Sequence, residues 1–124
     1  MKPDRIEADF HAEAFPGAPA PEIAASSLAR VIHERCRLAL LAHLAARGSA
    51  SFQELRHFLN LSDGNLASHL RVLEGAGLVR VQKGVQDRRP HTEVEMTELG
   101  KREFARYLDQ LESVIRSART GLEG

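Results

Sequence analysis

The stretch "LSDGNLASHLRVLEGAGLVRVQKG", Leu61 to Gly84, begins with the pattern of a helix and ends with that of a strand. Its leucines recur at spacings of three and four, which is the period of one helix face. They are Leu66, Leu70 and Leu73. Gly77 follows as a stop signal, and from Leu78 apolar and polar residues alternate with the period of a strand. The pattern predicts an amphipathic helix, polar on its outer face, followed at once by a short basic strand.

Further helices are predicted on the N-terminal side of this stretch. A helical pattern starts at Ile23 and stops at Gly48. Ser51 and Glu54 then form a capping box, which opens a short helix that Asn60 ends. Only Leu61 and Ser62 separate it from the next helix, which Ser62 or Asp63 caps, and so short a connection is typical of a helix-turn-helix.

On the C-terminal side, "HTEVEMT" predicts a second strand, and the polar segment "VQDRRP" predicts the loop of a two-stranded hairpin. Thr97 is expected to cap a final helix. Its apolar residues step by four and three, which is a seam that packs on another helix. They are Phe104, Leu108, Leu111, Ile115, Ala118 and Leu122. The fold class expected is mainly α with a small β-hairpin, a winged helix-turn-helix with a long C-terminal dimerisation helix.

Composition narrows the class of protein. The chain has 124 residues, 43% of them hydrophobic, and a formal net charge of zero. We expect a Pro/Ala-rich flexible extension over residues 1–22, with net charge −3, and a winged-helix domain over residues 23–124. The single cysteine, Cys36, excludes an intrachain disulfide and favours a reducing, cytoplasmic setting. No apolar run approaches the ~20 residues that span a bilayer, so no membrane partner is expected.

A helix fits the major groove of B-DNA, where exposed polar side chains meet base edges. Outward polar positions of the Leu61–Gly77 helix, with the basic hairpin beside it, therefore predict a surface for double-stranded DNA. Arginines at a hairpin tip suit phosphates or a narrow minor groove. The predicted DNA contacts are Ser62, Asn65, Ser68, His69, Arg71, Lys83, Arg88 and Arg89.

Three segments together resemble the winged-helix transcriptional regulators of the MarR/ArsR superfamily. They are "LARVIHERCRLALLAHL", "SFQELRHFLNLSDGNLASHLRVLEGAGLVRVQKG" and "RRPHTEVEMTELGKREFARYL", within residues 28–115. The resemblance implies a homodimeric regulator, usually a repressor, that reads a pseudo-palindromic operator. Its implied reading helix spans Ser62 to Gly75, and its wing Arg80 to Thr92.

The resemblance also places dimer contacts on the first and last helices, in agreement with the apolar seam. The predicted dimer interface consists of Leu28, Ile32, Phe104, Leu108, Leu111 and Ile115. Related proteins often have proline in the segment "IHERCR", where this chain has Arg35, so the first helix is expected to be continuous. The chain is too short for all the helices that frame an effector pocket in full-length MarR proteins, and the effector, if any, stays unknown.

Other functions are weighed against this interpretation. A winged helix also serves as a protein-interaction module, which zero net charge and the acidic Asp63 suit. Metal sensing through His33 and Cys36, or redox sensing through Cys36, has less support, because a metal site needs three or four ligands. No phosphate-binding loop or nucleophile elbow is present, so we expect neither a cofactor, nor a metal, nor an enzyme.

Overall fold

The computed structural model describes residues 27–124, so the predicted extension over residues 1–22 and the predicted helix start at Ile23 lie outside the described residues. The helices are α1 (Ser27–Ile32), α2 (Arg35–Arg47), α3 (Phe52–Leu59), α4 (Asp63–Gly75) and α5 (Glu98–Glu123). The strands are β1 (Ser49–Ser51), β2 (Val79–Gln86) and β3 (Arg89–Met96). The predicted fold class is confirmed: helices dominate, and a small antiparallel sheet precedes a long last helix.

The first predicted helix is broken, and the expectation that it is continuous is wrong. α1 ends at Ile32, and Glu34 adopts an extended conformation with φ −71° and ψ 135°. Its carboxylate caps α2 by accepting a hydrogen bond from the Arg37 amide at 2.9 Å. The Arg37 Nε donates to the Val31 carbonyl at 2.7 Å and so satisfies an oxygen at the end of α1. Local hydrogen bonds therefore build this corner without a proline.

The sheet has three strands in the order β1-β3-β2, one more than the predicted hairpin. β1 comprises only "SAS" and pairs antiparallel with β3, placing Ala50 opposite Val94. β1 was not predicted from the sequence, because three residues are too few to show an alternating pattern. Its last residue, Ser51, is also the predicted cap of the next helix. It serves both roles, because its hydroxyl accepts from the Glu54 amide at 3.0 Å.

The core lies between the helices and the inner face of the sheet. Leucines of α2, α3, α4 and the segment that leads into β2 are completely buried there, together with Val94 of β3. They are Leu40, Leu41, Leu55, Leu66, Leu73 and Leu78. Tyr107 closes the core from α5, where its hydroxyl lies 2.7 Å from His33 Nδ1 and links α5 to the end of α1. Burial raises the pKa of the Tyr107 phenol.

The structure divides the predicted apolar seam of α5. Phe104 is 4% exposed and belongs to the core of its own chain, as does Ile32 of α1 at 1%. These two side chains are therefore not available to a second copy, contrary to the sequence prediction. Beyond Tyr107, Leu111 still packs against the core, partly buried, and four large apolar side chains are exposed. They are Leu108, Val114, Ile115 and Leu122. Within residues 27–124, no helix has both the length and the apolar character to cross a membrane.

One close approach fixes α5 against the end of α4. The Thr97 hydroxyl donates to the Gly77 carbonyl at 2.6 Å and accepts from the Gly100 amide at 2.9 Å. A Cβ at Gly100 would collide with the backbone carbonyl of Leu78 and lie 2.9 Å from Met96 Cγ. Only glycine fits at this helix position.

We therefore expect Gly100→Ala to lower the free energy of unfolding by about 1–3 kcal/mol, the usual cost of overpacking. Gly121→Ala is the matched control in the same helix, because a Cβ there meets nothing within 4 Å. The control should raise stability by at most about 1 kcal/mol through helix propensity. Urea unfolding at equal protein concentration measures both, and equal effects of the two variants would contradict the close packing.

Candidate nucleic-acid interface

The turn between α3 and α4 sets the entry of α4. Asn60 ends α3 in the left-handed conformation with φ 55°, and its amide donates to the carbonyls of Arg56 and His57. The Leu61 amide also bonds Arg56 O at 3.1 Å. Ser62 then caps α4, with its hydroxyl accepting from the Asn65 amide at 3.1 Å. This arrangement confirms Ser62, rather than Asp63, as the cap.

A cluster of charged groups joins α3 to α2. The Glu54 carboxylate lies 2.7 Å from His43 Nε2 and 2.6 Å from Arg47 Nε. The hydrogen bond from His43 lowers the pKa of Glu54; desolvation opposes that shift, and the nearby Arg47 charge adds to it. At the other end of α3, Arg56 Nε lies 3.2 Å from Asp63 of α4. Ion pairs thus link α3 to α2 on one side and to α4 on the other.

α4 has one buried and one exposed face. Leu66, Leu70 and Leu73 are at most 5% exposed and anchor it in the core. The exposed face carries Asn65, Ser68 and Arg71, together with the apolar Val72, which is 41% exposed. The structure therefore brings these three predicted polar residues together on one accessible surface, and it places Val72, an outward position that was not among the predicted DNA contacts, beside them. An apolar side chain there is suited to contact a thymine methyl group.

His69 lies differently from its prediction. A residue in a helix advances about 100° per position, so His69 flanks Leu66 and Leu73 rather than standing opposite them. Its side chain is only 20% exposed, and Nδ1 lies 3.8 Å from a carboxylate oxygen of Glu34. This nitrogen is inaccessible and has no hydrogen-bond partner within the described part of the chain. The Nδ1 edge of the ring therefore faces the α1–α2 corner instead of the exposed surface of α4.

The hairpin is tighter than the sequence predicted. Gln86 pairs with Arg89, and Val85 with Pro90, so most of "VQDRRP" lies in the strands. Only Asp87 and Arg88 form the loop, both with positive φ, 53° and 66°. Positive φ at both central residues is the pattern of a type I′ turn, which matches the twist of paired strands. Since Asp87 and Arg88 are not glycine or asparagine, composition gave little signal for this turn.

The charges of the hairpin are not equally available. Arg80 contacts Glu95 through both Nε and Nη2 at 2.9 Å, so its charge is compensated on the sheet. Lys83, Arg88 and Arg89 are exposed, and none forms an ion pair with any residue of the described range 27–124. α4 contacts β2, and three residues connect them, so the hairpin starts beside α4. We name the exposed residues Asn65, Ser68, Arg71, Lys83, Arg88 and Arg89 the α4–hairpin surface.

An apolar cavity of about 340 Å³ opens between the end of α2 and the start of α5. Its lining includes Leu44, Met96 and Phe104, with Leu108 at its rim and Lys101 as its one charged residue. The cavity lies next to the exposed apolar part of α5 and is separate from the α4–hairpin surface.

A family model described as a winged helix DNA-binding domain matches residues 36–115, which is more than half of the chain. The chain belongs to this family. The match includes all of α4, the hairpin and the first part of α5, so every residue of the α4–hairpin surface lies within the matched range.

Relatives agree with this assignment. An uncharacterized protein of Methanocaldococcus jannaschii is 33% identical over 82 residues, which cover 66% of this chain and 89% of that protein. The structure of a transcriptional regulator homologue from Pyrococcus horikoshii is 39% identical, with a TM-score of 0.68, over 72% of this chain and 88% of the other.

The transcriptional repressor CouR, bound to a 23-mer DNA duplex, is similar in fold, with 21% identity and a TM-score of 0.66 over 98% of this chain and 78% of the other. MarR-family regulators share the fold as well. The family model and the relative from Pyrococcus horikoshii confirm the resemblance to winged-helix regulators, and the MarR-family structures share the fold.

The pKa of Glu54 gives a pH test of the cluster that positions α3. Because its folded-state pKa lies below the ordinary 4.5, the cluster stabilises the fold above that pH and loses its contribution as the pH falls through the lowered pKa. Glu54→Gln should reduce stability at pH 7 and weaken the further loss on acidification. Urea midpoints between pH 7 and pH 3 measure this, with Glu112→Gln on the exposed part of α5 as control. An acid dependence equal in both variants would contradict the role of Glu54.

Proposed function

We propose that this protein is a sequence-specific DNA-binding transcriptional regulator, a homodimeric repressor that reads a pseudo-palindromic operator. The observation that carries the proposal is the α4–hairpin surface: a capped helix with an exposed polar face beside a hairpin with uncompensated cations at its tip. Its occurrence in the helix and wing of a winged helix DNA-binding domain supports the same conclusion.

In this proposal α4 enters the major groove. Asn65 and Arg71 have the donors and acceptors that read adenine and guanine edges, and Ser68 can bond to several bases. Ser62 lies at the N-terminus of α4, where helix amides and the dipole favour a phosphate. Its oxygen accepts from the Asn65 amide, and its hydroxyl proton stays available for a phosphate oxygen. His69 is omitted from the base contacts because its Nδ1 faces inward.

The hairpin tip supplies contacts that do not depend on sequence. Arg88 and Arg89 follow one another at the turn, and Lys83 lies further back on β2, opposite Thr92. Exposed arginines without ion-pair partners can bind phosphate without breaking an ion pair within the protein. Each contact releases condensed counterions from DNA. Arginines can also enter a narrow minor groove beside the site of the helix.

The exposed part of α5 supports the homodimer. α5 has 26 residues, about 39 Å at 1.5 Å per residue, and the core covers only its first half. Leu108 and Ile115 are exposed and follow a heptad spacing with the partly buried Leu111, and this spacing suits the same helix of a second copy. A dimer would place two copies of α4 on half-sites about one helical turn of DNA apart.

The two similar structures support a role in transcriptional regulation to different degrees. The relative from Pyrococcus horikoshii, described as a transcriptional regulator homologue, has the higher identity. The CouR structure is of a repressor on DNA, which supports repression only through the shared fold. The alternative is a winged-helix protein-interaction module, favoured by the zero net charge of the chain and by Asp63 in the first turn of α4.

Replacing both Arg88 and Arg89 with Ala should weaken binding to every DNA sequence. If each arginine contacts one phosphate, the slope of log affinity against log salt should fall by about 0.9 per contact. Fluorescence anisotropy on the upstream intergenic DNA and on a scrambled duplex, across a salt series, measures both quantities. The charge-matched control is Arg102→Ala with Arg106→Ala, two exposed arginines of α5.

Asn65→Ala serves as the comparison on α4, because its backbone amide keeps the cap while the side chain is lost. It should reduce the preference for the native duplex by about 1–3 kcal/mol, with the salt slope nearly unchanged. Wild-type protein that binds neither duplex at low salt would favour the protein-interaction module. An unchanged salt slope in the double arginine variant would contradict the role of the hairpin.

The dimer has its own test at Ile115, which is 43% exposed. Ile115→Lys should shift the protein from dimer to monomer, because it places a charge in the apolar seam. Ser113→Lys adds the same charge on the opposite side of α5, at about 100° per residue, and should leave the dimer intact. Sedimentation velocity measures the outcome, and a wild-type monomer at micromolar concentration would contradict the proposed assembly.

A further inference from the structure

The α1–α2 corner and α4 bring three different metal-ligating side chains together. They are Glu34, Cys36 and His69, and one ligand atom from each lies within 4.8 Å of the others. We infer that these residues form a binding site for a divalent transition metal of the zinc class. The inference goes beyond the proposed function and replaces the sequence-based expectation that no metal is bound.

The three side chains come from positions that the fold fixes independently. Glu34 is the N-cap of α2, and Cys36 lies in the first turn of the same helix. His69 comes from α4, more than thirty positions later in the chain, and its ring is held beside the buried leucines of that helix. Sequence spacing alone paired Cys36 with His33, but the helix breaks between them and His33 contacts Tyr107 instead.

The three ligand atoms are close enough to share one ion after small side-chain movements. Ligand distances of about 2.0–2.3 Å place two donor atoms of a zinc site about 3.3–3.6 Å apart. His69 Nδ1 lies 3.8 Å from Glu34 Oε1, so a small side-chain rotation brings the pair to ligation distance. The same oxygen, Oε1, accepts the cap bond from the Arg37 amide, so an ion would bind its second lone pair or the other carboxylate oxygen, Oε2.

An independent observation points to a ligand. His69 Nδ1 is buried and without a hydrogen-bond partner, the one such side-chain atom among residues 27–124. Buried polar atoms in native proteins are nearly always paired, and each exception needs an explanation. A metal ion between His69, Cys36 and Glu34 would supply the missing partner.

The donor set selects the kind of ion. Imidazole nitrogen, thiolate sulfur and carboxylate oxygen are the three ligand types of zinc sites, whereas Ca²⁺ and Mg²⁺ prefer oxygen alone. Three protein ligands leave a fourth position for water. Cysteine binds a metal ion as the thiolate. A neutral thiol therefore releases one proton to solvent when the ion binds.

The primary test uses Co²⁺ and Zn²⁺ with the full-length protein freed of metal by a chelator. Co²⁺ should bind with a stoichiometry of one per chain and give a thiolate-to-metal charge-transfer absorption. Cys36 is the only cysteine, so this absorption identifies the ligand without any variant. Absence of saturable binding, or binding without the charge-transfer absorption, would overturn the inference.

Variants then test His69, the ligand that α4 provides. His69→Gln should weaken Zn²⁺ binding at least about tenfold in competition with a chromophoric chelator, since loss of even an outer partner of a metal ligand has that effect. His57→Gln, an exposed histidine of α3, is the matched control and should bind within twofold of wild type. Equal affinities of the two variants would overturn the assignment of His69, and circular dichroism verifies that both are folded.

Occupancy would link α4 to the α1–α2 corner, a consequence that rests on the proposed function. His69 lies between Ser68 and Arg71 of the α4–hairpin surface, so Zn²⁺ should change DNA affinity in the wild type and leave it unchanged in Cys36→Ser. Equal DNA affinity with and without Zn²⁺ would overturn this coupling. Absence of DNA binding in both conditions would instead contradict the proposed function. It would leave the metal site unaffected, since metal binding is measured without DNA.

Discussion

The buried leucine face of α4 is the constraint on which the α4–hairpin surface depends. Leu66, Leu70 and Leu73 are held in the core, so the rotation of the helix about its axis is fixed and with it the direction of Asn65, Ser68 and Arg71. Both ends of α4 are tied as well: Ser62 caps its start, and Leu78 donates back to Leu73 O at its end. A polar surface on a rigid helix can hold the positions that recognition of base edges requires.

The same anchoring connects the distant parts of the chain. Thr97 bonds to the Gly77 carbonyl just after α4, and it also starts α5, so the end of one helix determines the beginning of the next. The direction of the exposed apolar part of α5 is therefore set by the packing of α4. In a dimer built on α5, the spacing of the two α4 helices would follow from this contact.

Much of the fold could be predicted from the sequence, because strong local signals agree with it. The leucine period of α4 and the caps at Ser51, Ser62 and Thr97 all describe interactions within a few residues, and each is found in the structure. The helix break at Glu34 was missed because a side-chain cap and an arginine replace the more familiar proline. β1 was missed because its pairing partner, β3, lies more than forty residues away.

The candidate site could be predicted only in part. Exposed polar residues of α4 follow from helical periodicity, but the inward-facing Nδ1 of His69 depends on Glu34, which tertiary packing brings close. Similarly, the sequence shows charge at Arg80 and Arg88 alike, whereas only pairing of the strands reveals that Glu95 compensates Arg80. For α5, periodicity gave one continuous seam, and the core determines that Phe104 faces inward while Ile115 is exposed.

If Arg88 contacts DNA as proposed, the turn at the hairpin tip places function and stability in opposition at a single residue. Arg88 occupies a left-handed conformation, which costs a residue with a side chain roughly 1–2 kcal/mol and glycine very little. A glycine would thus give a more stable turn with one cation fewer. The chain keeps an exposed guanidinium in the two-residue loop of the hairpin at the expense of local stability, so a substitution that stabilises the turn also removes a cation.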